Sequence, residues 1–292
     1  MSFRFSRSDD TVEAGVRRIA GAHVDRAIAA IDDAALSRDE IVHAVRQRCK
    51  KLRALVRLVR SGFPAYAPEN EAIRDMGRML AGARDAHVLV ATLDTLCAGA
   101  QVPLDAQHLR LLRERLGRGE EGMEPPAAPL AACRARLLAA RVRSANWFLT
   151  GDDGAMLAGG FEREWRLARK AMRRALDDRG GEASHEWRKR IKTHGQHLRL
   201  LRDVAKGRAG RPAGQADALG DLLGERHDLD LFTTRLTALA LADGELATRE
   251  RLLATARART KALDEAAFRI GHRLFDERPG GMIARIGKGW RT

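Results

Sequence analysis

Aromatic side chains and membrane-like segments are scarce in this chain of 292 residues. Phe, Trp and Tyr make up 4% of it, with a single tyrosine, whereas proteins that bind single-stranded nucleic acid usually stack bases on exposed rings. The three cysteines form no Cys-x-x-Cys pair, which fits a reducing cytoplasm. No apolar run approaches the roughly eighteen residues of a membrane helix, and "MSFRFSRSDD" lacks the apolar stretch of a secretory signal. We therefore expect a cytoplasmic protein with no membrane partner.

Alternating strand patterns are also lacking, and apolar residues recur at helical spacing through Ala-, Leu- and Arg-rich segments. The sequence therefore predicts an all-α fold. The stretches "DTVE" (10–13) and "SRDE" (37–40) each place a Glu three residues after an N-cap oxygen, which predicts helices beginning at Asp10 and Ser37. Gly, Pro and acidic residues predict helix breaks at 61–68, 117–129, 151–154, 177–184 and 277–281.

Positive charge is in excess: 53 Lys and Arg oppose 39 Asp and Glu, a net charge of +14. Such a surplus attracts polyanions. It is concentrated between His43 and Arg60, "HAVRQRCKKLRALVRLVR", where there is no acid. A solvated helix face usually alternates Glu with Lys or Arg four residues apart, because like charges at that spacing are destabilising. This unrelieved charge predicts a polyanionic ligand.

The basic segment occurs twice. Placing His43 on His185 aligns Arg46 with Arg188 at an offset of 142, and "LAGARDAHVL" (80–89) then aligns with "LGERHDLDLF" (223–232) at 143. Two copies of one helical unit are predicted, as a first repeat at 8–119, a linker at 120–129, a second repeat at 130–278 and a tail at 279–292.

Each copy forms a cationic row along one helix face, since its members fall within about 80° of the leading histidine. The first row is His43, Arg46, Lys50, Arg53 and Arg57, and the second row is His185, Arg188, Lys192 and Arg199. Gly195 replaces the fourth cation, so the second row is expected to be thinner. Arginine can grip two phosphate oxygens at once, so the rows predict a phosphate ligand. Phosphate beside His43 or His185 should raise the pKa of that histidine, whereas His194 and His197 fall on the apolar face, which predicts structural roles.

The two basic segments, the two following blocks and the tail "LFDERPGGMIARIGKGW" resemble the CHAD family, the conserved-histidine α-helical domain, over about residues 8–292. The resemblance implies two pseudo-symmetric bundles of about four helices each around a basic groove or cavity. It implies non-catalytic binding of inorganic polyphosphate, an association with polyphosphate granules and, as further partners, other polyanions or polyphosphate-metabolising enzymes. Carried over by position, the binding residues are His43, Arg46, Lys50, Arg53, Arg57, Arg84, His185, Arg188, Lys189, Lys192, Arg199 and His227.

Three alternatives stay open or are set aside on sequence grounds. A basic helical nucleic-acid-binding protein fits the charge, although no helix-turn-helix or aromatic platform is present. A protein-binding module would need an exposed apolar patch. An enzyme of the triphosphate-tunnel type needs Glu-x-Glu-x-Lys on a strand, and the nearest match, "EREWR" (162–166), ends in arginine in a helical pattern. We therefore expect no catalysis and no cofactor. A zinc site needs three or four ligands, and His194 with His197 offers two, so we also expect no metal.

Overall fold

A computed structural model describes residues 3–6, 8–80, 85–98, 105–117, 127–240, 243–276 and 278–290. All regular structure in these ranges is helical, which confirms the predicted all-α class. A short 3-10 turn, Arg60–Gly62, follows the second α-helix. The α-helices are α1 Val12–Asp32, α2 Arg38–Leu58, α3 Tyr66–Met79, α4 Asp85–Ala98, α5 Ala106–Gly117, α6 Ala127–Ala145, α7 Asp153–Asp178, α8 Gly181–Leu200, α9 Gly210–Ala238, α10 Asp243–Phe275 and α11 Gly280–Gly289.

The two predicted helix starts differ in outcome. Ser37 caps α2 with the complete capping box expected from the sequence, in which Glu40 bonds back to the Ser37 backbone. Thr11 rather than Asp10 caps α1, because its hydroxyl accepts from the Ala14 amide. Glu13 instead accepts a hydrogen bond from the Leu149 amide, 2.8 Å away. The predicted start of α1 is therefore wrong by one residue.

Two apolar clusters hold the helices together, and each mixes the two halves of the sequence. The larger joins α1, α2, α3 and α6 to α7, α8 and α11 with adjoining parts of α9 and α10. The smaller joins α4 and α5 to the C-terminal part of α9 and to α10. Most of the expected linker lies outside the described residues, and the repeat boundaries and pseudo-symmetry stay predictions. The tail forms α11, which packs on α7.

The helices α2, α7 and α8 meet closely. A Cβ at Gly160 of α7 would overlap the carbonyl oxygen of Leu58, so only glycine allows this approach. His197 of α8 is fully buried and its Nε2 donates to the Ala54 carbonyl of α2 at 2.9 Å. His194 is also buried, with its ring centre 5.3 Å from that of Phe161. Both histidines therefore occupy the core, as their apolar-face positions predict.

Across the part of the chain that the structure describes, no helix combines the length and apolar character needed to cross a lipid bilayer.

Candidate functional site

The helices that carry the two cationic rows lie side by side and run antiparallel. Ala54 of α2 contacts His197 of α8. Arg57, three residues later on α2, donates from Nη1 to the hydroxyl of Thr193, four residues earlier on α8, at 3.3 Å. Moving forward along α2 therefore means moving backward along α8. Lys51 of α2 is close enough to Arg199 for that cation to lower its pKa, after the larger effects of burial and of Arg48. The rows are thus adjacent, and a single groove lined by both stays a prediction.

The three arginines of the first row are half-buried and bond to uncharged acceptors. Arg46 donates from Nη1 to the Leu80 carbonyl at 3.2 Å, and Arg53 donates from Nε to the Asn70 side-chain oxygen of α3 at 3.3 Å. Arg57 uses the Thr193 hydroxyl in the same way. These bonds orient the guanidinium groups without neutralising them, so the surface keeps its positive charge.

Arg53 shows how unfavourable this arrangement is without an anion. Burial is the main cause that lowers the pKa of Arg53 to about 10, and the neighbouring cations Arg57, Arg74 and Arg78 contribute to that lowering. Arg74 is itself paired with Glu71 and Asp75, at 2.6 and 2.8 Å. An anion beside Arg53 would relieve the repulsion, because opposite charge favours the charged form of a group.

A buried acid, Glu164 of α7, lies near the C-terminal end of the first row. Burial raises the pKa of Glu164, and Arg190 and Arg57 act in the opposite direction. Its closest cation is Arg190 of α8, whose Nη1 atom lies 3.7 Å from the carboxylate. Glu164 therefore offsets charge beneath Arg57, on the core side of the row.

His43 and Lys50 occupy the exposed edge of the first row. The side-chain amide of Gln47, one turn after His43, donates to Nε2 of that histidine. The opposite ring nitrogen then carries the proton in the neutral form. These residues lie where an incoming ligand can reach them from solvent.

The second row differs, because carboxylates already bind its cations. Arg199 pairs with Asp217 of α9, and Lys192 lies 3.0 Å from Asp221 of the same helix. Lys189 lies 3.6 Å from Glu186. Exposed ion pairs of this kind contribute at most about 1 kcal/mol each, but an incoming phosphate must displace the carboxylate. The second row is therefore thinner than the first for a reason beyond Gly195.

The repeat itself contains the origin of this difference. At the offset of 143, Arg74 aligns with Asp217 and Arg78 with Asp221. The helix that follows the basic helix is thus cationic at these positions in the first copy and acidic in the second. Sequence reasoning missed Asp217 and Asp221, although extending the alignment of the second block by six residues toward the N-terminus would have revealed them.

His185, near the start of α8, lies against His227 of α9, with ring centres 4.3 Å apart and ring planes tilted by 32°. Burial lowers the pKa of His185 to about 4, assisted by His227, Lys189 and Arg188. Burial and Arg188 also lower the pKa of His227. Both imidazoles are neutral near pH 7 in the unliganded protein, opposite to the rise expected beside phosphate. That rise stays a prediction for the bound state.

Arg84, aligned with His227, lies outside the described residues. Within the described ranges, no group of three or more His, Cys, Asp or Glu side chains could hold a metal ion.

Comparison with known proteins gives one family. The family model described as "CHAD domain" matches residues 18–237. Among solved structures, the chain is similar to the CHAD domain from the plant Ricinus communis, with a TM-score of 0.61 and 19% sequence identity over 93% of each chain. At that identity the similarity shows the fold alone. A search of curated proteins found no match.

Proposed function

Because this chain belongs to the CHAD domain family, we propose that it binds inorganic polyphosphate, without catalysing a reaction, chiefly through the first row. One observation carries the proposal: Arg46, Arg53 and Arg57 are half-buried and are held by uncharged acceptors, and Arg53 in addition lies close to further cations. A fixed guanidinium that lacks a paired anion is ready for a phosphate, because little side-chain entropy remains to be lost.

A polymer of phosphate suits this surface better than a nucleic acid does. Bases need stacking platforms or groove readers, and within the described ranges Phe148, which follows α6, is the single large aromatic residue that is exposed. Arg60, just beyond the row, covers the face of Tyr66 at 4.7 Å, so that ring is not open to a base. Phosphate oxygens require only the arginine forks and lysine charges already present.

The second row contributes a weaker contact in this proposal. Its cations must release Asp217 and Asp221 before they bind phosphate, so each contact there yields less free energy. His185 and His227 would bind as neutral donors first and gain a proton as phosphate raises their pKa. We propose the same cellular setting as the family resemblance implies, the cytoplasm at polyphosphate granules, with polyphosphate-metabolising enzymes as partners.

Two triple variants that remove the same charge test the proposal. The first replaces Arg46, Arg53 and Arg57 by Gln, and the second replaces Lys189, Lys192 and Arg199 by Gln. Glutamine keeps hydrogen-bonding capacity and limits damage to the fold. We expect the first variant to lose at least about ten-fold more affinity for long-chain polyphosphate than the second. Its slope of log K against log salt should fall by about two to three, since each lost phosphate contact removes about 0.7–0.9.

Circular dichroism of both variants serves as the folding control. Equal losses of affinity in the two variants would contradict a dominant first row. An unchanged salt slope in the first variant would remove these arginines from the binding surface altogether.

A further inference from the structure

A second cluster of basic residues contains no member of either cationic row. A pocket of about 460 Å³ opens between the α8–α9 connection and α11. Lys206 and Arg208 line it from the connection, and Arg285 and Lys288 line it from α11. Among the described residues, no acidic side chain lines it, and its volume lies within the range of small-molecule sites.

The four cations of the pocket lack acidic partners among the described residues. Within the described part of the chain, none of their side chains makes an ion pair or hydrogen bond. Arginines close by are paired: Arg4 lies 3.3 Å from Asp203, and Arg278 lies 2.7 Å from Glu162. Four converging like charges repel one another, so the arrangement is stable only to the extent that solvent or an anion screens it.

The concave shape comes from small residues on one face of α11. Gly281, Ala284 and Gly289 line the pocket between the cations, and a Cβ at Gly281 would lie 3.0 Å from Nη1 of Arg208. The opposite face of α11 is anchored, because Gly287 packs directly against Gly154 of α7. The small residues of this anchored helix therefore leave an open, shallow concave surface between the four cations.

The connection from α8 also adopts an uncommon backbone to reach this pocket. Lys206 has φ 49° and Gly207 has φ 82°, both in the left-handed region that few non-glycine residues adopt. A lysine in that conformation costs free energy that the surrounding structure must supply. The resulting turn brings Lys206 and Arg208 to the same cavity.

From these observations we propose that the pocket is a separate binding site for a compact, multiply charged phosphate, of the size of a short phosphate chain. Two arginine forks and two lysine charges complement several phosphate oxygens, and covering four charges with an apolar ligand would be unfavourable. The site belongs neither to the first row nor to the second. Its α11 residues lie outside residues 18–237, the segment matched by the family model, and none of its four cations is among the binding residues that the family resemblance implies.

Calorimetric titration of the full chain with tripolyphosphate at near-physiological salt tests the site. Two variants address it: Arg285→Glu with Lys288→Glu, which reverses the charge, and Ala284→Phe, which fills the exposed cavity without changing charge. The control, Arg269→Glu with Arg273→Glu, makes the same charge change at exposed positions of α10. We expect at least a ten-fold loss of affinity in both pocket variants, and none in the control.

Each result has a defined meaning. Failure of the parent protein to bind tripolyphosphate, or undiminished binding by both pocket variants, would overturn the site. Loss only in the first-row variant would assign short chains to the first row instead. Equal binding of citrate would show a generic anion patch and overturn the phosphate assignment.

Comparison with ATP identifies the source of the phosphate, since equal binding of ATP and tripolyphosphate indicates the phosphate chain of a nucleotide and weaker binding of ATP indicates free phosphate chains. Long-chain polyphosphate binding by the pocket variants keeps this test distinct from that of the first row.

Discussion

Arg53 lies in an environment that disfavours the charged form of its guanidinium group. It is half-buried, bonds to the neutral Asn70 side chain and lies among Arg57, Arg74 and Arg78. Binding residues are often retained at a cost to stability, because the ligand rather than the fold supplies the missing partner. We therefore propose that Arg53 links the stability of the unliganded protein to its affinity for polyphosphate.

The variant Arg53→Met tests this link, because methionine keeps much of the apolar length and removes the charge. We expect the unliganded variant to be more stable by about 1 kcal/mol and to bind long-chain polyphosphate more weakly. Urea unfolding and calorimetric titration measure the two effects. Arg134→Met is the control, since Arg134 bonds to Asp32 at 2.7 and 2.8 Å and its loss should give no gain. A large destabilisation by Arg53→Met would contradict the account.

Three buried histidines predict that stability falls in mild acid. Burial is the main cause that lowers the pKa of His23 and His194 to about 3 and that of His197 to about 4. An unfolded histidine titrates near 6.5, so the unfolded state binds more protons between about pH 6.5 and the folded pKa values. The stabilisation is therefore complete above about pH 6.5 and is lost as the pH falls toward 4.

Urea unfolding at pH 7.5 and 5.5 measures this loss, for which we expect about 1 kcal/mol per buried histidine. His197→Gln should reduce the difference between the two pH values by about 1 kcal/mol, whatever its effect on absolute stability. Equal free energies of unfolding at both pH values would contradict the burial of neutral imidazoles.

At the scale of elements, the approach of α7 to α2 depends on one glycine. Gly160 contacts the Leu58 carbonyl, whereas a Cβ added at Gly159 would meet no neighbouring atom within 4 Å. Gly160→Ala should therefore destabilise the protein by about 2 kcal/mol or more through overpacking. Gly159→Ala should stabilise it by up to about 1 kcal/mol, because alanine favours the helix. Urea midpoints of the two variants distinguish them, and similar values would show that the helices do not meet there.

How much of these elements the sequence predicts depends on whether the signal is local. Helical spacing and the Ser37 capping box are local, and both predictions are confirmed. The sequence does not predict the break at 201–209, because "LRDVAKGRA" continues the apolar spacing of α8. The pairing of Arg199 with Asp217 joins two helices, and the row pattern of α8 alone does not contain it.

At the scale of the whole molecule, the net charge of +14 is distributed unequally between regions of similar sequence. The first copy concentrates cations on α2 and α3, and the second copy places Asp217 and Asp221 against its own cations. Composition predicts a polyanion-binding protein, and the repeat predicts which helices are basic. Neither shows the pocket beside α11, because it forms between segments about 80 residues apart in the sequence.

The central claim is that the first row recognises polyphosphate rather than anions in general. The most direct measurement is a calorimetric titration with long-chain polyphosphate at near-physiological salt, followed by competition with RNA at matched phosphate concentration. We predict tight binding that RNA does not displace, because the first row supplies phosphate contacts and no base-stacking surface. Equal displacement by RNA, or no binding of polyphosphate, would contradict the claim and favour a basic helical nucleic-acid-binding protein.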